Sequence, residues 1–88
     1  MTQKTVKIGL FGAFRDCQPE VFLTLQVPMD SRVADVRQAL AEYGQRHWPR
    51  FSESLLKRSV FASETTVLRD GDTLPDGTLV ILPPVAGG

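Results

Sequence analysis

One stretch of the 88-residue chain decides what the rest must do. Val33, Val36, Leu40 and Tyr43 recur at intervals of three and four, and Ala39 widens the stripe. Asp35, Arg37, Gln38 and Glu42 fall on the other side. This is an amphipathic helix with a single apolar face, which must be buried against another layer. Asp30-Ser31-Arg32 offers capping side chains, and Asp35 lies in the first turn, where the helix dipole favours an anion. Gly44 reads as the C-cap, which gives a helix of about 11 residues, or roughly three turns.

The flanking segments supply strands. Val6, Ile8 and Leu10 alternate with Lys7, Gly9 and Phe11, a period of two with the first set inward and Phe11 outward. Val21, Leu23, Leu25 and Val27 alternate with Phe22, Thr24 and Gln26, and Pro28 ends that strand. A short polar connection between the two, from Gly12 to Pro19, predicts an antiparallel hairpin. After the helix, Gln45 to Arg50 is polar and turn-rich, ending at Trp48-Pro49. Phe51, Leu55 and Leu56 fit one or two further helical turns. Arg58 to Ala62 and Thr65 to Leu68 read as short strands, Asp70-Gly71 and Asp76-Gly77 as turns, and Leu79 to Leu82 as the last strand. The order β-β-α-(short helix)-β-β-β predicts a two-layer α+β sandwich, one sheet packed on one main helix.

Ten Lys and Arg residues balance ten Asp and Glu, so no basic excess points to nucleic acid or an anionic membrane surface. A polar N-terminus, the lack of a long apolar run and a single cysteine predict a cytoplasmic protein without a disulfide. Cys17 and His47 stand far apart in sequence and read as a loop thiol and a surface residue. Gly9 and Gly12 match neither phosphate-binding glycine pattern, so no nucleotide site is expected on this chain. Asp70, Asp72 and Asp76 lack the bidentate glutamate of a calcium loop and read as turn acids; no metal site is expected.

The ending Pro83-Pro84-Val85-Ala86-Gly87-Gly88 is the distinctive stretch. Two prolines favour an extended exit from the body, and two glycines leave only backbone around the last carboxylate. Such a tip fits a channel too narrow for any other residue, although chain ends are also where functionless fraying is commonest. The chain thus divides into a folded body, residues 1–82, and an extended tail, residues 83–88, flexible with respect to it.

Taken together, several segments resemble the small subunit of molybdopterin synthase, a family of ubiquitin-like sulfur carriers. They are Val6-Lys7-Ile8-Gly9-Leu10-Phe11 with Arg15 after it, Arg32-Val33-Ala34-Asp35-Val36, Leu74-Pro75-Asp76-Gly77, and Ile81 through Gly88. One departure is that Ser59 to Gly71 is longer than usual, with Ala62-Ser63 where an Asn commonly follows the strand valine. The resemblance implies a ubiquitin-like β-grasp roll, a mixed sheet on one helix with the first and last strands as parallel central neighbours. It implies that a ubiquitin-activating-like adenylyltransferase uses ATP to adenylate Gly88 and that a sulfurtransferase donor converts it to a thiocarboxylate. The large synthase subunit then receives the tail (Pro83, Pro84, Val85, Ala86, Gly87), and the sulfur passes to cyclic pyranopterin monophosphate. The carrier itself holds no cofactor. If the first and last strands are neighbours, Phe11, Val80 and Leu82 form an apolar docking patch on the helix-free face, and Arg15 is placed either to pair with an acid on a partner or to stay solvated. A carrier for cysteine or thiamine synthesis, and a ubiquitin-like modifier or adaptor without sulfur chemistry, are the competing readings.

Overall fold

The computed structural model describes residues 2–75 and 77–84. Strand β1 (Gln3–Leu10) leads into a 3-10 helix (Gly12–Asp16) and then β2 (Phe22–Pro28). Helix α1 (Val33–His47) and the short α2 (Glu53–Arg58) follow, and then β3 (Val60–Ala62), β4 (Val67–Leu68) and β5 (Leu79–Leu82). The five strands form one mixed sheet in the order β2-β1-β5-β3-β4. β1 and β2 make the expected antiparallel hairpin, from Gln3↔Pro28 to Gly9↔Phe22. β1 and β5 are parallel neighbours, from Ile8↔Leu79 to Leu10↔Ile81, and β3 pairs antiparallel with both β5 and β4.

Strand alternation sends one set of side chains to the helix side. Val6, Ile8, Leu10, Leu23, Val27, Phe61, Leu79 and Ile81 are buried there with Val33, Val36 and Leu40 of α1. Each such side chain contributes roughly 1.5–3 kcal/mol through the apolar surface it removes from water.

Several expectations are corrected. The first concerns α1, which does not stop before Gly44 but runs one turn further, to His47. Gly44 is buried within it because the ring of Phe51 lies against its backbone, where a Cβ would collide. The true C-cap is Trp48, whose backbone N–H donates to the Gly44 carbonyl at 2.9 Å. Second, Gln45 to Arg50 is not simply a polar connection. Trp48 is in the core, and its indole Nε1 donates to Gln18 Oε1 at 3.0 Å. Third, the connection between β1 and β2 is not simply polar either. It winds into the 3-10 helix and drops Phe14 into the core, 1% exposed.

The start of α1 is tied down from a distance. The Arg32 N–H donates to the Asp35 carboxylate at 2.8 Å, as a first-turn acid allows. The N–H groups of Val33 and Ala34 donate to the carbonyls of Asp72 and Asp70, at 3.0 and 2.9 Å. These donors have no partner within the helix, and the loop after β4 supplies one. The expected cap from the Asp30 and Ser31 side chains is thus replaced by loop backbone. Arg37 adds a further tie. Its Nη1 donates to the carbonyls of Leu56 and Ser59, closing the C-terminal end of α2, and its Nε and Nη2 donate to Asp70. Arg58 belongs to α2, and β4 begins only at Val67, since Thr65 and Thr66 turn around the Ser63 hydroxyl, which accepts both of their N–H groups.

Candidate functional site

The opposite face of the sheet carries no helix. The strand registers place Phe22, Gly9, Val80, Ala62 and Val67 side by side, one residue from each strand. A second row holds Leu82 opposite Val60. Side chains of one row share one face, so the apolar residues run from one edge strand to the other. Phe11, Phe22, Val60 and Val67 are 48, 45, 40 and 61% exposed, while Val80 and Leu82 are half-buried. Isolated exposed apolar residues are ordinary, but a band in register across every strand of a sheet makes this face a candidate contact surface.

Of the patch expected from sequence, Val80 and Leu82 lie on this face. Phe11 is not a strand residue, because β1 ends at Leu10, but it remains on the same side. Gly9 explains how. A Cβ on Gly9 would lie 3.2 Å from Val80 Cγ1, 3.4 Å from Phe22 Cε1 and 3.5 Å from Phe11 Cε1, so the three side chains converge over bare backbone. Lys7 completes the corner, its Nζ 4.2 Å from the Phe22 ring centroid. Alternation along β2 puts Phe22 outward as well, and the face also takes in Val60 and Val67. Their alternation was visible, but nothing local says which strand lies beside which.

The root of the tail adjoins this face. β5 ends at Leu82, and Pro83, lacking an N–H, cannot continue the ladder. Extending the β1–β5 register by two residues sets Pro83 opposite Gly12, the first residue of the 3-10 helix. Gly12 has φ +58°, and a Cβ there would stand 2.6 Å from Pro83 Cγ. Arg15 is exposed in the last turn of the same 3-10 helix. Val85, Ala86, Gly87 and Gly88 lie outside the described residues, and so does Asp76.

The remaining candidates stand elsewhere. Cys17 follows the 3-10 helix, half-buried, with Sγ 3.8 Å from the Ala13 carbonyl; burial pushes its thiol pKa up, and the neighbouring Asp16 adds to this. His47 is exposed at the end of α1, its ring centroid 4.4 Å from that of Tyr43. Asp70 is paired with Arg37, and the Asp72 carboxylate accepts the Arg69 N–H at 2.8 Å. Among the described residues, no helix is long and apolar enough to cross a membrane.

No family model and no curated protein matches the chain. Solved structures do match. SAMP1 from Haloferax volcanii superposes with a TM-score of 0.72 over 97% of this chain and 100% of its own, at 21% identity. The fold is the ubiquitin-like β-grasp. The Haloferax volcanii HVO 2177 protein gives 0.58 at 22% identity, over 98% of this chain and 88% of its own. The N-terminal ubiquitin-like domain of the 4931431F19Rik protein gives 0.56 at 14% identity, over 96% and 79%. At these identities the likeness is one of fold. It spans 96–98% of this chain, so the apolar band and the tail root sit on a ubiquitin-like frame.

Proposed function

We propose that this β-grasp protein is a sulfur carrier and that its reactive group is the carboxylate of Gly88. The observation that carries the reading is the tail root. The central strand β5 hands directly to Pro83-Pro84 at the rim of an exposed apolar face, and the sequence then continues Val85-Ala86-Gly87-Gly88. One surface thereby serves for docking and one short segment for delivery, with no catalytic side chain required of the carrier.

The chemistry follows from the terminal group. A C-terminal carboxylate is ionised at neutral pH, with a pKa near 3.3–3.7, and is a poor electrophile. In the proposed cycle an adenylyltransferase lets a Gly88 oxygen attack the α-phosphorus of ATP, and pyrophosphate leaves. Hydrosulfide from a sulfur donor then attacks the acyl carbon, and AMP leaves, giving a thiocarboxylate without any change in oxidation state. The sulfur, softer than oxygen, attacks an electrophilic carbon of the acceptor as a C–O bond there breaks and the oxygen group leaves with its electron pair; water afterwards cleaves the acyl–sulfur bond, which restores the carboxylate and leaves a thiol on the acceptor. Within this reading the acceptor is cyclic pyranopterin monophosphate on the large molybdopterin synthase subunit, in the cytoplasm. The family resemblance in Pro83-Pro84 favours it over cysteine or thiamine synthesis. Phe11, Val80 and Leu82 contact the partners, and Arg15 faces an acid on one of them.

The test is intact-mass analysis of the full chain after incubation with the adenylyltransferase, ATP and sulfide. The expected result is a gain equal to the difference between sulfur and oxygen, lost when Gly88 is deleted. No gain with an active partner overturns the reading. The third structural neighbour is an N-terminal domain of its protein, which favours a second reading as an adaptor or modifier that binds through the apolar band. A Gly88–lysine isopeptide adduct, or partner binding unaffected by loss of the last two glycines, distinguishes it.

A further inference from the structure

We infer that Gly12 is a positioning residue: its missing Cβ makes the seat for the Pro83 ring, and that seat sets the direction in which the tail leaves the body. Two independent features meet at this glycine. Its φ of +58° belongs to the left-handed region, where most side chains are disfavoured. Separately, a Cβ would come within 2.6 Å of Pro83 Cγ, closer than carbon atoms pack, with Pro83 Cδ at an ordinary contact distance of 3.4 Å. Backbone conformation alone would explain a glycine in a turn; it does not explain why a ring from the other end of the chain fills the space above it.

The seat is a product of register. β1 and β5 are parallel, so Gly12 and Pro83 both lie just beyond the same end of the central pair. The 3-10 helix that Gly12 begins is itself fixed, because Phe14 anchors it in the core. Pro83 has no such anchor of its own: it is half-buried, β5 has ended, and among the described residues no further strand pairing holds it. A collision at Gly12 is therefore relieved by moving Pro83 rather than by moving the 3-10 helix. Proline's fixed φ then carries any displacement of the ring into the direction of Pro84. The functional consequence rests on the sulfur-carrier reading, since a terminal group delivered into another protein's site loses rate when its origin is shifted by an ångström.

The experiment separates ring seating from backbone strain. Asn tolerates positive φ but carries a Cβ, so Gly12→Asn keeps the backbone accessible and removes the seat. It is compared with wild type, with Pro83→Ala, and with Gly12→Asn combined with Pro83→Ala. In wild type, NMR cross-relaxation is expected between the Gly12 Hα protons and the Pro83 ring. In Gly12→Asn, contacts from residue 12 to Pro83 are expected to vanish while those between Gly9 and Val80 persist. For sulfur loading by the adenylyltransferase with ATP and sulfide, Gly12→Asn is expected to lower kcat by about tenfold or more with KM little changed, because the apolar band is intact. The double variant is expected to recover the kcat of Pro83→Ala. Absence of the wild-type contact, an unmoved Pro83 in Gly12→Asn, or a double variant no better than Gly12→Asn alone overturns the inference. If wild type takes up no sulfur, the sulfur-carrier reading fails, and the cross-relaxation comparison still decides whether the seat exists.

Discussion

The two faces of the sheet are made from the same strands and differ by one residue of alternation. On the helix side, Ile8, Phe61 and Ile81 are completely buried. On the other side, their neighbours Gly9, Ala62 and Val80 form the middle of a band flanked by exposed Phe22 and Val67. Both faces are apolar along the central strands, so hydrophobicity alone does not separate core from contact surface. What separates them is the covering layer: α1 lies on one face, and no element of the described chain lies on the other. The flanking members of the band, Phe22, Val60 and Val67, are therefore open to solvent, whereas Ala62 in its middle is buried.

The strongest test of that contrast is a pair of truncations. Phe61→Ala removes a fully buried ring beneath the Arg37 guanidinium and is expected to destabilise by about 3–5 kcal/mol in urea unfolding. Phe22→Ala on the exposed face is expected to cost no more than about 1 kcal/mol, chiefly the Lys7 contact, while, on the proposed sulfur-carrier reading, weakening binding to the adenylyltransferase. Equal losses of stability would erase the distinction between the faces.

A second test concerns Gly44. In an exposed helix interior Gly→Ala is stabilising by roughly 1 kcal/mol. Here the sign is expected to reverse, with Gly44→Ala destabilising by about 1–3 kcal/mol, because the new Cβ meets the Phe51 ring. A rise in the unfolding midpoint would show that Phe51 yields easily. Smaller still, Asp70→Asn is expected to cost under about 1 kcal/mol in the same assay, since Asp70 is 56% exposed and Arg37 keeps its carbonyl partners.

The smallest effect is at Cys17, where burial and then Asp16 raise the thiol pKa. A raised pKa favours the protonated thiol in the folded chain. Any stability linked to it is thus present below the unfolded thiol's pKa and lost as pH rises through the folded value. Iodoacetamide is expected to alkylate Cys17 more slowly in the folded protein than in urea near pH 8. The two rates should converge at higher pH; a faster folded rate would point to an activated thiol instead.

Much of the architecture was legible in the chain. The period-two runs of β1 and β2, the apolar stripe of α1 and the final strand before Pro83 stand where alternation and spacing put them, except that Val21 lies outside β2 and is exposed. The misreadings share a cause. Gly44 looked like a helix stop, Trp48 like part of a polar turn and Phe14 like a loop residue, because each owes its place to a residue distant in sequence or in a neighbouring element. Phe51 accounts for Gly44, Gln18 receives the Trp48 indole, and the core above the sheet receives Phe14. The candidate site divides in the same way. Phe11, Val80 and Leu82 could be singled out from alternation once the end strands were taken as neighbours, whereas Phe22, Val60, Val67 and Gly12 could not.

By itself, then, the sequence determined which residues face together along each strand and along the helix, since those periods are local properties of backbone geometry. It also determined the chemistry of the ending, Pro83 through Gly88. Only the tertiary structure decided the register between strands, and with it the continuous band across the open face. It alone brought Pro83 onto Gly12, because a contact between the two ends of a chain depends on how β1 and β5 are aligned and leaves no periodic trace in either segment.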